Sequence, residues 1–169
     1  VALRQGDAVG LMTFSGQDRW VPPLKGRHAM PTILDRVYDI EPTEAPSDFA
    51  EAASRLATRQ KRRALVILLT NLRDDDSGDL QAALAPLRRR HLVLLASLQE
   101  PALERALTAP MDEFKDALRV AACAEYLGRR RRAHEKVRGR GVHTLDSTPA
   151  RLPVALVNRY LEIKRAGLL

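Results

Sequence analysis

A single cysteine, Cys123, in 169 residues leaves no partner for an internal disulfide and cannot build a multi-cysteine zinc site. Aromatic residues make up only 4% of the chain, so Leu, Val, Ile and Ala must supply the core. The longest apolar run, Ala64 to Leu69, is six residues, against the roughly 20 that a bilayer-spanning helix needs. These residues are therefore expected to hold no transmembrane segment, and no signal peptide opens them. Glycine-rich phosphate loops are missing too. Neither G-x-x-x-x-G-K-[ST] nor G-x-G-x-x-G occurs, which excludes nucleotide binding by either device. No G-x-S-x-G elbow is present. His28, His91, His134 and His143 are scattered without metal-ligand spacing.

What remains is globular in character, with 45% hydrophobic and 29% charged residues in 18.8 kDa. That is enough for one domain with a core and too little for two ordinary ones. The expectation is one soluble α/β domain from a reducing compartment. The charge is uneven. Of 28 basic residues 5 are lysine, leaving 23 arginines, and the net charge is +7. Arg59 to Arg63 holds four cations, Arg88 to Arg90 is a triplet and Arg129 to Arg132 is a quartet. Such runs suit phosphate or acidic partners. Each also follows a helical pattern, and cations at helix C-termini are favoured by the helix dipole, which is the preferred reading.

Val1 to Gln5 reads as the last turn of a helix closed by Gly6, so the chain reads as part of a longer protein. A strand follows over Ala8 to Phe14, and a short edge strand over Arg19 to Val21, stopped by Pro22-Pro23, completes a hairpin. A helix spans about Pro31 to Tyr38 with Ile33, Leu34 and Val37 on one face. A second begins at Ser47-Asp48, where Phe49, Ala52, Ala53 and Leu56 keep helical spacing and Asp48-x-x-Glu51 resembles a capping box. Ala64 to Thr70 is apolar on both faces, as a central parallel strand should be. Then come a helix stripe of Leu80, Ala83, Leu84 and Leu87, and a doubly buried strand from His91 to Ala96. A long helix opened by Phe114, Ala117, Leu118 and Ala121 runs towards Gly141. A strand over Val142 to Leu145 and a helix over Pro149 to Arg165, with Val154, Val157 and Leu161 inward, end the chain. Strands alternating with helices predict a doubly wound, mostly parallel α/β sheet with helices on both faces, Rossmann-like.

Ligands of such sheets sit beyond the carboxyl ends of the strands. The loop there carries Asp74, Asp75 and Asp76, whose hard oxygens suit Mg²⁺. Adjacent loop residues seldom converge on one ion, and a solvated turn leading into a helix is the preferred reading. His91 and His143 read as structural, and Cys123 as a buried, inert thiol. No set of nucleophile, base and oxyanion donor can be assembled, so no catalytic residue is assigned.

The order of elements resembles a known family. Gly6-Asp7-x-Val9-Gly10-Leu11-x-x-Phe14 is followed by Ser47-Asp48, then Leu68-Leu69-Thr70-Asn71, then Asn158-Arg159-Tyr160-Leu161-x-Ile163-Lys164. This resembles the von Willebrand factor A-like domain of a bacterial family of unknown function encoded beside MoxR-type AAA+ ATPases. The resemblance covers nearly all of residues 1–169, read as one domain lacking its N-terminal part. It implies a metal-ion-dependent adhesion site at the top of the sheet. The Asp-x-Ser-x-Ser element of that site is absent here. Ser47 matches the second element, though a helix cap is its preferred role, and Asn71 stands where an aspartate is expected. An amide oxygen without charge attracts a hard cation weakly, so the site is expected to be degenerate, with Mg or Mn bound only in an intact domain.

The same resemblance implies that the first central strand is missing between the strands at Ala8–Phe14 and Ala64–Thr70. Two unpaired apolar edges are costly. Residues outside this sequence supply the strand, another chain supplies it, or the sheet closes directly. The functional expectation is a non-enzymatic interaction module that docks an AAA+ ATPase or its client. It would lie in the cytoplasm, tethered to the inner membrane by segments outside this sequence, and would use Arg129, Arg130, Arg131 and Arg132 as a surface. Nucleic-acid binding through the arginine runs is the rival, weakened by the scarcity of stacking aromatics and the lack of a recognised module. A metal-dependent hydrolase using Asp74 to Asp76 ranks last.

Overall fold

The computed structural model describes residues 1–41, 43–44, 46–72 and 77–169. Asp74, Asp75 and Asp76, offered above as magnesium ligands, lie outside the described residues. Contacts divide the chain into two compact units, Val1–Arg59 and Gln60–Leu169.

In the first unit a 3₁₀ turn, Ala2–Gln5, ends at Gly6 with φ 79°, the left-handed position expected of it. Strands β1 (Val9–Met12) and β2 (Trp20–Leu24) pair antiparallel. β2 runs through Pro22 and Pro23 rather than stopping before them. An irregularity between Val9 and Leu11 absorbs the lost donors, as bulged edge strands allow. Gly10 sits against that irregularity. A Cβ there would lie 2.9 Å from the Val21 carbonyl oxygen and 3.0 Å from the Pro23 nitrogen. Helix α1 (Ala29–Asp35) follows, shorter than expected. Helix α2 (Phe49–Arg59) starts where Asp48 Oδ1 accepts the Glu51 backbone N–H at 2.8 Å, so Asp48 is the cap. Phe49, Ala52 and Ala53 are buried, and the Phe14 and Phe49 rings stack obliquely at 5.8 Å.

The second unit is a parallel sheet in the order β3-β4-β5, flanked by helices, and the fold is α/β of Rossmann-like character. β3 is Leu65–Thr70, β4 Leu92–Leu98 and β5 His143–Ser147. Helix α3 (Ser77–Arg88) connects the first two strands, helices α4 (Pro101–Thr108) and α5 (Phe114–Arg138) the next two, and α6 (Leu152–Arg165) follows β5. The α3 stripe of Leu80, Ala83, Leu84 and Leu87 is fully buried, as its spacing predicts.

Four expectations change. β3, expected at the centre, is a sheet edge, paired only with β4 among the described residues. Its Ile67 and Leu69 remain 40% and 52% exposed, because β4 takes the central place and buries five consecutive residues instead. Direct closure of one continuous sheet does not occur: β1 and β3 belong to separate sheets. The stripe opening α5 faces outward, with Phe114 80% and Leu118 56% exposed. α6 is rotated from its expected face, burying Tyr160 and Ile163 while Val154 lies exposed.

The Gly10 contact generates a prediction. Backbone atoms cannot swing aside, so Gly10→Ala should destabilise the first unit by about 1–3 kcal/mol through forced overpacking. Chemical denaturation read at Trp20, in the paired strand, measures this. An unchanged midpoint would show that the hairpin yields.

Candidate functional site

Helix α5 is roughly 37 Å long at 1.5 Å per residue, and its two halves behave differently. The start is secured by a reciprocal cap, with Asp116 Oδ2 accepting the Glu113 N–H at 3.1 Å and the Glu113 side chain accepting the Asp116 N–H in turn. In the second half Arg130, Ala133 and Val137 fall on one buried stripe at i, i+3 and i+7. That phase turns Arg130 inward while Arg129, Arg131 and Arg132 stay exposed. The quartet is thus split by helix geometry. It also lies within α5 rather than at a helix end, unlike Arg59 and Arg88, which close α2 and α3.

Arg130 is 3% exposed and reaches the carboxyl ends of all three parallel strands. Nη1 donates to Asn71 Oδ1 at 2.7 Å and to the Leu72 carbonyl at 2.9 Å, just past β3. Nη2 donates to Ser97 Oγ at 2.5 Å and the Leu98 carbonyl at 2.8 Å on β4. Nη2 and Nε engage the two Asp146 carboxylate oxygens on β5 at 2.7 and 3.3 Å. Ser97 Oγ also accepts the Leu72 N–H at 3.1 Å. Only a planar guanidinium has the donors and the fork to serve three strands at once.

This changes what the carboxyl end can hold. Asn71 Oδ1, the oxygen expected to face a metal, is taken by a permanent cation, and Asn71 Nδ2 donates to Glu100 Oε1 at 3.2 Å. A divalent ion at Asn71 would meet the Arg130 charge, so the residues present here do not fit one. Ser47 lies exposed in the first unit, ahead of the Asp48 cap. Among the described residues no three His, Cys, Asp or Glu side chains gather into a metal-holding group.

Beside Arg130 an open cavity of about 320 Å³ runs between α5 and β5, lined by Arg131, His134, Arg138, Thr144 and Asp146 among others. His134 Nε2 is buried without a hydrogen-bond partner, 3.7 Å from Asp146 Oδ2. Burial lowers the His134 pKa, and the Arg130 and Arg138 charges lower it further against the opposing pull of Asp146. His91, 5% exposed, is lowered by burial and by Arg90, and His143 by burial and by Arg159. Cys123, expected buried, is half-exposed on α5.

Two predictions follow from this geometry. Arg130→Met keeps the length and removes the charge, leaving Asp146, Asn71 Oδ1 and two carbonyls without their donor and Ser97 Oγ with the Leu72 N–H alone. It should cost about 3–5 kcal/mol in urea unfolding, and Arg130→Lys should recover only part of that. The histidines give a pH slope. Their folded-state pKa values lie below the unfolded value of about 6.5, so the unfolded chain binds more protons in that window. Stability should be constant above about pH 7, fall as pH drops through 6.5, and level off below the folded values. His134→Gln should flatten the slope in urea midpoints between pH 7.5 and 5. A slope unchanged by that substitution would remove His134 from the account.

No curated protein and no solved structure matches the chain. A match to the family described as protein of unknown function DUF58 covers residues 1–119. It takes in the Gly6-Asp7-x-Val9-Gly10 start, Ser47-Asp48 and Thr70-Asn71, and stops before Arg130 and the Asn158-to-Lys164 ending. On that match, the chain belongs to the DUF58 family.

Proposed function

We propose that this chain is a non-enzymatic interaction module, a von Willebrand factor A-like domain that docks a MoxR-type AAA+ ATPase or the client of one. The family membership and the α/β sheet support the class, and the resemblance of the sequence motifs supports the partner. The observation that carries the reading is the outward stripe at the start of α5. Phe114 and Leu118 are 80% and 56% exposed, Ala117 and Ala121 beside them are exposed as well, and Met111, just ahead of the helix, is 63% exposed. The opposite face, through Val120, Cys123 and Leu127, is half-buried, and α4 packs against this helix. A stripe with packing periodicity that stays exposed among the described residues is what a partner-binding helix presents.

The reading assigns no catalytic residue and no cofactor, and it uses the filled carboxyl end of the sheet as its second support. With Arg130 bonded to three strands, recognition falls to surfaces rather than to a pocket at Asn71. No helix among the described residues is long and apolar enough to cross a membrane. The tether to an inner membrane, with the domain on the cytoplasmic side, belongs to segments outside this sequence.

Affinity purification of the tagged full-length protein from its own host, with nuclease present, tests the reading. A stoichiometric AAA+ ATPase is the expected result. Phe114→Ser with Leu118→Ser should leave stability within about 0.5 kcal/mol, since both side chains face solvent, yet reduce ATPase capture at least tenfold. Capture of the ATPase by both forms alike would move the dock elsewhere, and absence of the ATPase would end the adaptor reading.

A further inference from the structure

Parallel strands all begin at one end of their sheet, so the segments leading into them share that end. In the second unit those segments are Gln60-Lys-Arg-Arg-Ala64, Arg88-Arg-Arg-His91 and Arg138-Gly-Arg-Gly-Val142, with no aspartate or glutamate in any of them. Contacts tie them together. The Leu92 N–H donates to the Ala64 carbonyl at 3.0 Å, joining the starts of β3 and β4. The Arg88 guanidinium packs on Gly141, where an added Cβ would stand 2.8 Å from Nη2, joining the starts of β4 and β5. Arg63 Nη2 donates to the Leu168 carbonyl at 3.2 Å, bringing in the end of α6.

Runs beginning at residues 60, 88 and 138 thus become one pole. Arg62, Arg63, Arg88, Arg89, Arg90 and Arg140 are exposed there, and none of them forms an ion pair with an acidic side chain among the described residues. The preferred sequence reading, cations offsetting helix dipoles, accounts for only part of this. The C-termini of α3, α5 and α6 carry about half a negative charge each, and six guanidiniums exceed that severalfold.

We infer that this amino-end pole binds the phosphate backbone of duplex nucleic acid, independently of base sequence. Guanidinium forks match phosphate oxygens and stay charged at every physiological pH. The three connecting segments hold no exposed large apolar or aromatic side chain of the kind that fills the centre of a protein interface beside arginine. They hold no aromatic residue to stack unpaired bases, which favours a duplex over a single strand. This inference does not rest on the adaptor reading. Leu168 and Leu169, 40% and 48% exposed beside Arg63, are what a lipid surface would use instead, and the test includes that outcome.

The purified chain is titrated against a fluorescent 20-base-pair duplex of mixed sequence across a salt series. Binding at about 50 mM salt is expected, with log Kobs against log salt falling with a slope of about −5 if each of the six arginines meets a phosphate. Arg89→Gln with Arg90→Gln should make that slope shallower by about 2. Arg105→Gln with Arg151→Gln, an equal loss of charge on α4 and just ahead of α6, should leave it unchanged. No duplex binding at low salt would overturn the inference, as would equal loss from both pairs of substitutions. Vesicles of mixed neutral and anionic phospholipid captured in place of the duplex would overturn it in favour of a membrane surface.

Discussion

The second unit is organised around one buried cation. Strand ends of a parallel sheet expose carbonyls and polar side chains that no ladder satisfies, and here three of them, from residues 71–72, 97–98 and 146, converge on Arg130. An arginine buried to this degree is tolerated only when its donors are matched, because the desolvation cost is otherwise several kcal/mol. The match is complete enough that α5 can be fixed only in the rotation placing residue 130 inward. The positions of Ala133 and Val137, both 0% exposed, follow from that rotation. So does the outward direction of the apolar stripe at the helix start.

The same interaction decides where ligands can go. The carboxyl end of an open α/β sheet is the usual ligand site because it offers unsatisfied groups at a crevice. Arg130 satisfies those groups from within. The end left open is the opposite one, where chain direction alone collects the arginines that close α3 and lead into β3 and β5. Carboxyl end filled and amino end charged are two consequences of one topology, with the strand order β3-β4-β5 setting both.

Elements whose burial is decided locally were legible in the sequence. Leu80, Ala83, Leu84 and Leu87 encode one face of α3, the run beginning at His91 encodes a doubly covered strand, and Asp48 signals its own cap. Pro101 in the first turn of α4 was a readable start that no expectation used. Where partners decide, the sequence was silent or misleading. Ala64 to Leu69 and Leu92 to Ala96 look alike, and only the strand order makes one an edge and the other a centre. In the quartet, Arg130 is chemically identical to its neighbours. Its phase with Ala133 and Val137 was visible, but Asn71, Ser97 and Asp146, separated from it by 59, 33 and 16 residues, were not.

Helix α5 inverts the usual relation between polarity and burial. Its most exposed large apolar side chain is a phenylalanine and its most buried long one an arginine. For the arginine the reason lies inside the chain, in six acceptor contacts. For Phe114, Leu118 and Met111 no compensation exists within the described residues, and full burial of a large apolar side chain stabilises by roughly 1.5–3 kcal/mol. Covering all three would therefore release on the order of 5 kcal/mol, to be set against the several kcal/mol that association costs in lost freedom. The gain is available only to a second surface. Under the proposed reading, that surface is the partner's.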